Sequence, residues 1–234
     1  MHIRTCFILT LSLLPLLPLL SGCKKGGSSS DKPAPASVVF VNASLNVPNA
    51  DIYSNGALLF NDVSFPDSTG YLNTASGLNH LALVTTGTED TVLLGTGLFN
   101  PTKQYAVFLK DTLSAGVSIS VIEDSLPVLR PGYIGLRFLN LSGTSPSLDL
   151  YAASSLQYFF TDRYFGETDA SSTSFVSFPS GDYTFDLYAS GTVVTLASLS
   201  GIALQGGKVY TLFASGMLGG LGNRELRIGI IQHN

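Results

Sequence analysis

The sequence predicts an all-β protein: two tandem antiparallel β-sandwich domains of immunoglobulin or transthyretin type, placed after a signal peptide and a flexible tether. Three observations predict it. The 234 residues are 45% hydrophobic and only 12% charged, with 24 Gly, 14 Phe, 10 Tyr and no Trp. That balance suits pleated sheets rather than helical bundles. Apolar residues alternate with polar ones. Val117, Ile119 and Val121 are separated by Ser118 and Ser120, and Tyr183, Phe185 and Leu187 by Thr184 and Asp186. A period of two gives a strand one buried face. The third observation is that the chain repeats itself.

The stretch VNASLNVPNADIYSNG (41–56) aligns with LNLSGTSPSLDLYAAS (139–154). Asn42, Ser44, Asp51 and Tyr53 meet Asn140, Ser142, Asp149 and Tyr151, all at an offset of 98. Gly77 meets Gly181 at offset 104, and KQYAVFLKD (103–111) meets KVYTLFASG (208–216) at 105. A slowly growing offset is the mark of two copies that differ by short loop insertions. The copies span 38–126 and 134–234, joined at 127–133, where LPVLRPGY carries two prolines. Continuous apolar runs such as VVFV (38–41), YAVFL (105–109) and VYTLF (209–213) predict central strands buried on both faces. Asn55-Gly56 is a strong hairpin signal and Gly206-Gly207 a weaker one. Seven or eight strands per copy follow from this turn spacing.

Residues 1–22 read as a secretory signal: His2 and Arg4 form a basic start, and Phe7–Leu20 is an apolar run. As a helix that run would cover about 21 Å, short of a bilayer core of about 30 Å, and Pro15 and Pro18 interrupt it. Leu20-Ser21-Gly22-Cys23 resembles the bacterial lipobox. The resemblance implies that the Cys23 thiol takes a diacylglycerol, that cleavage precedes it, and that the new amine is acylated. Cys6 leaves with the signal, so no disulfide or free thiol is expected in the mature chain. Three acyl chains would anchor the protein permanently to a membrane. Residues 23–37 then form a flexible tether on the order of 20 Å across. Lys rather than Asp follows the cysteine, which favours the outer membrane and leaves open which side the body faces.

The order Asn-Ala-Ser, Asp-Ile-Tyr-Ser-Asn-Gly, a Gly before an alternating strand and then Tyr-Ala-Val resembles the bacterial secreted and lipoprotein β-sandwich repeats of domain of unknown function 4397. The resemblance covers most of 38–234. Copy 2 departs from it where Ala153-Ser154 replaces Asn55-Gly56. It implies a β-sandwich fold and an envelope location, and no activity.

The repeated Asp-x-Tyr puts Asp51 with Tyr53, and Asp149 with Tyr151, on one strand face. Either these form a ligand patch, with tyrosine stacking on a sugar ring and carboxylate binding its hydroxyls, or the aspartates cap backbone N–H groups as the fold requires. The Asn42 and Asn140 sequons sit at equivalent strand ends and read as turns. Asp67-Ser68, Asp90-Thr91, Asp111-Thr112 and Asp124-Ser125, each followed by a small or apolar residue, look like the acceptor rule of one bacterial envelope O-glycosylation system. That resemblance makes Ser68, Thr91, Thr112 and Ser125 candidate acceptors.

Catalytic and metal chemistry find little footing. The mature chain has only His80 and His233, the latter at an expected frayed terminus, and no Gly-x-Ser-x-Gly. Zinc is not expected, and turn carboxylates leave weak calcium binding as the one metal option. Adjacent Glu123 and Asp124 point to opposite strand faces and make no acid–base pair. A formal charge of −4 argues against a nucleic-acid partner; copy 1 carries two lysines against eight acidic residues. No cofactor is expected. The expectation is a lipid-anchored, non-enzymatic protein with a binding, adhesion or accessory role, its partner a glycan or an envelope protein. One alternative is a fimbrial subunit assembled by strand donation, with RELRIGIIQHN (224–234) as the donated strand. The other is a secreted hydrolase built around His80.

Overall fold

The computed structural model describes residues 32–112 and 116–234, with the side chains of Asp111 and Thr112 left aside. The signal peptide, Cys23 and the tether as far as Asp31 lie outside the described residues. Each copy has eight strands. The first comprises β1 (Ala36–Asn42), β2 (Asn49–Ser54), β3 (Ala57–Ser64), β4 (Leu72–Thr74), β5 (Gly77–Thr85), β6 (Thr91–Phe99), β7 (Gln104–Thr112) and β8 (Gly116–Glu123). The second comprises β9 (Tyr133–Asn140), β10 (Leu148–Ala152), β11 (Gln157–Arg163), β12 (Val176–Pro179), β13 (Gly181–Ala189), β14 (Thr195–Leu204), β15 (Val209–Ser215) and β16 (Arg227–Gln232), with a turn of α-helix, α1 (Ala170–Thr173), and a 3-10 turn (Gly222–Arg224). β1 begins two residues inside the stretch read as tether.

Copy 1 folds into sheet A, ordered β4-β1-β7-β8, and sheet B, ordered β3-β2-β5-β6. Copy 2 repeats the plan strand for strand, as sheet C (β12-β9-β15-β16) and sheet D (β11-β10-β13-β14). The sandwiches are antiparallel apart from one pair in each: β1 runs parallel to β7, and β9 to β15. Gly206-Gly207 therefore does not close a hairpin. It carries the chain from β14 in sheet D across to β15 in sheet C.

Two of the three apolar cores lie inside the copies. The third joins the copies, with Val39, Val41, Ala106, Phe108 and Ile122 of sheet A against Leu139, Leu141, Phe213 and Ile231 of sheet C. This explains the unbroken apolar runs. In β1, Val38 and Phe40 fill the copy's own core while Val39 and Val41 fill the shared one. The central strands of sheets A and C, β1, β7, β9 and β15, are thus buried on both faces, while the edge strand β8 and the strands of B and D keep an outward face with the alternation read from sequence. The 127–133 stretch connects bodies that are already packed together. Gly229 of β16 lies under the ring of Phe213, where a Cβ would stand 2.3 Å from the ring, so the shared core requires glycine there.

The repeated polar residues are framework. Buried Asn42 donates through Nδ2 to the carbonyls of Val47 and Val63 (2.9 Å each) and accepts from the Ser44 amide. Asn140 does the same work, donating to Pro146 and Arg163 carbonyls and accepting from the Ser142 amide. Buried asparagines of this kind fasten the β1–β2 and β9–β10 turns. At Asn55-Gly56, φ values of 51° and 80° give the left-handed two-residue turn the sequence calls for. Copy 2 bridges the same strands with four residues, 153–156, and takes its positive φ at Leu156.

β16 pairs along its length with β15 and closes copy 2 as β8 closes copy 1. The C-terminal strand is therefore built into its own domain, which removes the main support for strand donation.

Candidate functional site

Asp51 and Asp149 hold backbone in place. Asp51 Oδ1 accepts from the Asp62 amide (2.8 Å) and the Thr86 hydroxyl (2.7 Å). Asp149 Oδ1 accepts from the Asp162 amide (2.7 Å) and the Ser190 hydroxyl (2.8 Å), and its Oδ2 from the Gly191 amide (3.2 Å). Asp62 and Asp162 both sit at φ 53° beside register shifts in β3 and β11. Each repeated aspartate thus pins a bulge on one side and a hairpin turn on the other.

The partner tyrosines diverge between copies. Register places Leu58, Tyr53, Ala82 and Leu94 in one row across the outward face of sheet B. The equivalent row of sheet D is Tyr158, Tyr151, Asp186 and Ser198, and Tyr188 stands where copy 1 has Val84. Copy 1 shows an apolar face, on which Leu58, Leu78, Leu94 and Leu98 are all exposed. Copy 2 shows an aromatic and polar one. Tyr151 lies 5.0 Å from Tyr158 and 5.4 Å from Tyr188 between ring centroids, and Tyr158 and Tyr188 are 6.1 Å apart. Asp186 accepts from Ser198 Oγ at 2.5 Å through Oδ1. Burial first, then the charge of Asp186, raises the Tyr188 phenol above its ordinary range. Beside the rings opens a cleft of about 610 Å³, lined by Asp149, Tyr158, Thr161 and the Gly191–Val194 turn.

A second polar cluster lies between the copies, and sequence reasoning did not find it. Arg137 of β9, wholly buried, donates from Nη2 to Asp124 Oδ1 (2.8 Å) and from Nε to Thr211 Oγ1 (3.0 Å). The Tyr71 hydroxyl donates to Asp124 Oδ2 and lies 2.6 Å from His233 Nδ1, and His233 Nε2 lies 2.8 Å from Thr211 Oγ1. One arrangement satisfies every group: Thr211 donates to Nε2, Nδ1–H donates to Tyr71, and Tyr71 donates to Asp124. The hydrogen bonds form a closed ring, with Tyr71 and Asp124 from copy 1 and Arg137, Thr211 and His233 from copy 2. Phe175 covers it, 4.5 Å from the Arg137 guanidinium. Burial pushes Arg137 down and Tyr71 up. Burial would also raise Asp124, but nearby His233, the Arg137 charge and the Tyr71 hydroxyl outweigh it and hold its carboxyl below the usual range.

His233 is therefore not frayed. Its side chain is sealed in the ring, and its amide donates to the Val209 carbonyl. Glu123, on the opposite face from Asp124, pairs with Lys103 at 2.9 Å. His80 is an exposed residue of β5. No group of three or more His, Cys, Asp or Glu able to hold a metal occurs among the described residues. Ser68, Thr91 and Ser125 are exposed, and the Thr112 side chain and Cys23 lie outside the description.

No curated protein matches the chain. Among solved structures, the chain is similar to family 41 carbohydrate-binding modules from streptococcal virulence factors, which recognise alpha-glucan. That likeness has 8% identity and a TM-score of 0.24, and covers 82% of this chain and 96% of the other. It is also similar to a candidate cell adhesion protein from Parabacteroides distasonis, at 10% identity and a TM-score of 0.24, covering 86% of this chain and all of that one. Residues 36–151, the whole of the first sandwich and the opening strands of the second, match the family model described as Domain of unknown function (DUF4397).

Proposed function

We propose that this is a lipid-anchored protein of the bacterial outer membrane with a non-enzymatic binding or adhesion role. The observation that carries the binding role is the unequal use of the four sheets. Sheets A and C are consumed in packing the copies together, so the block offers sheets B and D outward. The framework aspartates on those sheets are the same in both copies, and the outward-facing residues differ apart from Tyr53 and Tyr151. Residues needed by the fold recur in a duplication. Residues that differ on an open face are free to serve recognition.

Against catalysis stands the location of the buried acid–base cluster described above. Asp124 and His233 are buried between the copies, Tyr71 is half-buried over them, and the three are hydrogen-bonded to one another rather than turned to an open cleft. The lipobox-like Leu20–Cys23 supports the anchor. The exposed hydroxyls of Ser68, Thr91 and Ser125 are compatible with O-glycosylation of the first copy.

Two measurements test this reading. Wild-type protein should incorporate labelled palmitate and fractionate with the outer membrane, and Cys23→Ala should do neither. Continued labelling of the variant would refute the anchor. The intact native protein, screened against glycans and matrix proteins, should retain at least one of them, and its mass should include hexose additions beside lipid. A protein that retained nothing would refute the binding role.

A further inference from the structure

We infer that the outward face of sheet D is a carbohydrate-binding site for a neutral pyranose, stacked on Tyr158, which Tyr151 and Tyr188 buttress, and hydrogen-bonded to Asp186. This rests on the binding role proposed above and names its ligand class and location.

The three ring centroids lie within 6.1 Å of one another: Tyr151 and Tyr188 stack at 29°, and Tyr158 stands at 60° and 67° to them, so the rings form one aromatic cluster whose outer member is Tyr158. Tyr158 is 47% exposed, a large aromatic held open to solvent. The open face of a single tyrosine, apolar and amphipathic, suits the C–H face of a sugar, whose hydroxyls project from the ring edge. An acceptor for those hydroxyls is in place. Asp186 sits opposite Tyr151 in the β10–β13 register, and only its Oδ1 is engaged, by Ser198. Its Oδ2 accepts no hydrogen bond among the described residues.

The size and charge of the site narrow the ligand further. A cleft of about 610 Å³ adjoins the cluster, well within the range of about 300–1,000 Å³ typical of small-ligand sites. None of the residues forming the cluster or lining the cleft is basic. A neutral polyol, rich in donors, fits a face that offers carboxylate and hydroxyl acceptors, and an anionic sugar does not. The exposed Val193 and Val194 give the cleft an apolar lip for a second sugar unit.

The contrast with copy 1 makes the assignment specific. Every ring and polar group of the site differs from its equivalent except Tyr151: Tyr158 stands opposite Leu58, Asp186 opposite Ala82, Tyr188 opposite Val84 and Ser198 opposite Leu94, in register terms. The framework aspartate beneath, Asp149, is present in both copies and has its oxygens engaged.

The test uses full-length acylated protein in a detergent without a sugar headgroup, titrated with cellohexaose, chitohexaose and mannohexaose. Binding is read by calorimetry and by tyrosine emission, which no tryptophan obscures. At least one oligosaccharide should bind. Tyr158→Ala should weaken it about tenfold, the equivalent of one aromatic contact. Asp186→Asn should weaken it severalfold, and Tyr53→Ala in copy 1 should change nothing. Unchanged melting temperatures would show that the sheet-D variants still fold. Binding unaffected by Tyr158→Ala and Asp186→Asn together would overturn the site. Failure of all three sugars, with a protein ligand retained in the screen, would overturn the ligand class and leave the binding role standing.

Discussion

Arg137 Nη2 and Asp124 Oδ1 meet at 2.8 Å with both side chains fully buried. The pair ties the chain just after the last strand of the first sandwich to the first strand of the second. It is one link in a ring otherwise made of Tyr71, His233 and Thr211, so opening it strands the other members as well. Toward the other end of β7, Lys110 of copy 1 reaches the Gly166 carbonyl of copy 2 at 3.3 Å, with its ammonium pushed down by burial. The sandwiches are consequently one mechanical unit.

Removing one member of the pair should be costly. Arg137→Met leaves Asp124 ionised in an apolar setting, and losses of about 3–5 kcal/mol are typical of such an orphaned charge. Arg137→Met combined with Asp124→Asn should be less destabilised than Arg137→Met alone, because no bare charge remains. Urea unfolding of the three proteins measures this. A double variant as unstable as the single one would mean that the neutral members of the ring, not the ion pair, hold the interface.

Acid should open the same interface. The folded-state carboxyl of Asp124 lies below the value of 3.8 it takes when exposed. A depressed carboxyl contributes stability above its unfolded value, and that contribution is lost as pH falls through the folded one. Wild-type stability should therefore fall as pH drops below about 4, and Asp124→Asn should flatten that part of the curve. The comparison isolates Asp124 from Asp169, whose carboxyl is also held low, by the hydroxyls of Ser171 and Ser172. Parallel curves for the two proteins would remove Asp124 as the source.

The strands were legible in the sequence because burial writes itself into period. β2 and β13 alternate since one face is wet, and β1 and β15 do not since both faces are covered. What covered the second face was not legible. Residues such as Val39 and Phe213 read as core whether their partner is the same sandwich or the other one. The parallel β1–β7 pairing was likewise hidden, because alternation reports which face is buried and not which way a neighbour runs.

The buried ring escaped notice for a related reason. Its members lie 13 to 162 residues apart, and only the fold brings them together. One signal was available: Arg137 is the sole charge in the apolar run YIGLRFLN, and a lone charge in a doubly buried strand demands a partner. The tyrosine cluster was half legible. Tyr151 stood out because it repeats Tyr53, whereas Tyr158 and Tyr188 stood out in nothing, since their importance lies in what copy 1 lacks.

The framework aspartates and the tyrosine face should separate cleanly in experiment. Asp149→Ala strips an acceptor from three part-buried bonds, those of the Asp162 amide, the Ser190 hydroxyl and the Gly191 amide. Unsatisfied groups of this kind cost about 1–3 kcal/mol. Asp51→Ala should cost less, because its carboxylate is more exposed and serves only the Asp62 amide and the Thr86 hydroxyl. Thermal melts of the two variants give the order directly. Tyr158→Ala, by contrast, removes a ring that stands 47% in solvent and should leave the melting temperature almost unchanged. If Asp149→Ala melted like wild type, the bulge at Asp162 would be holding itself, and the recurrence of this aspartate in both copies would need a reason other than the fold.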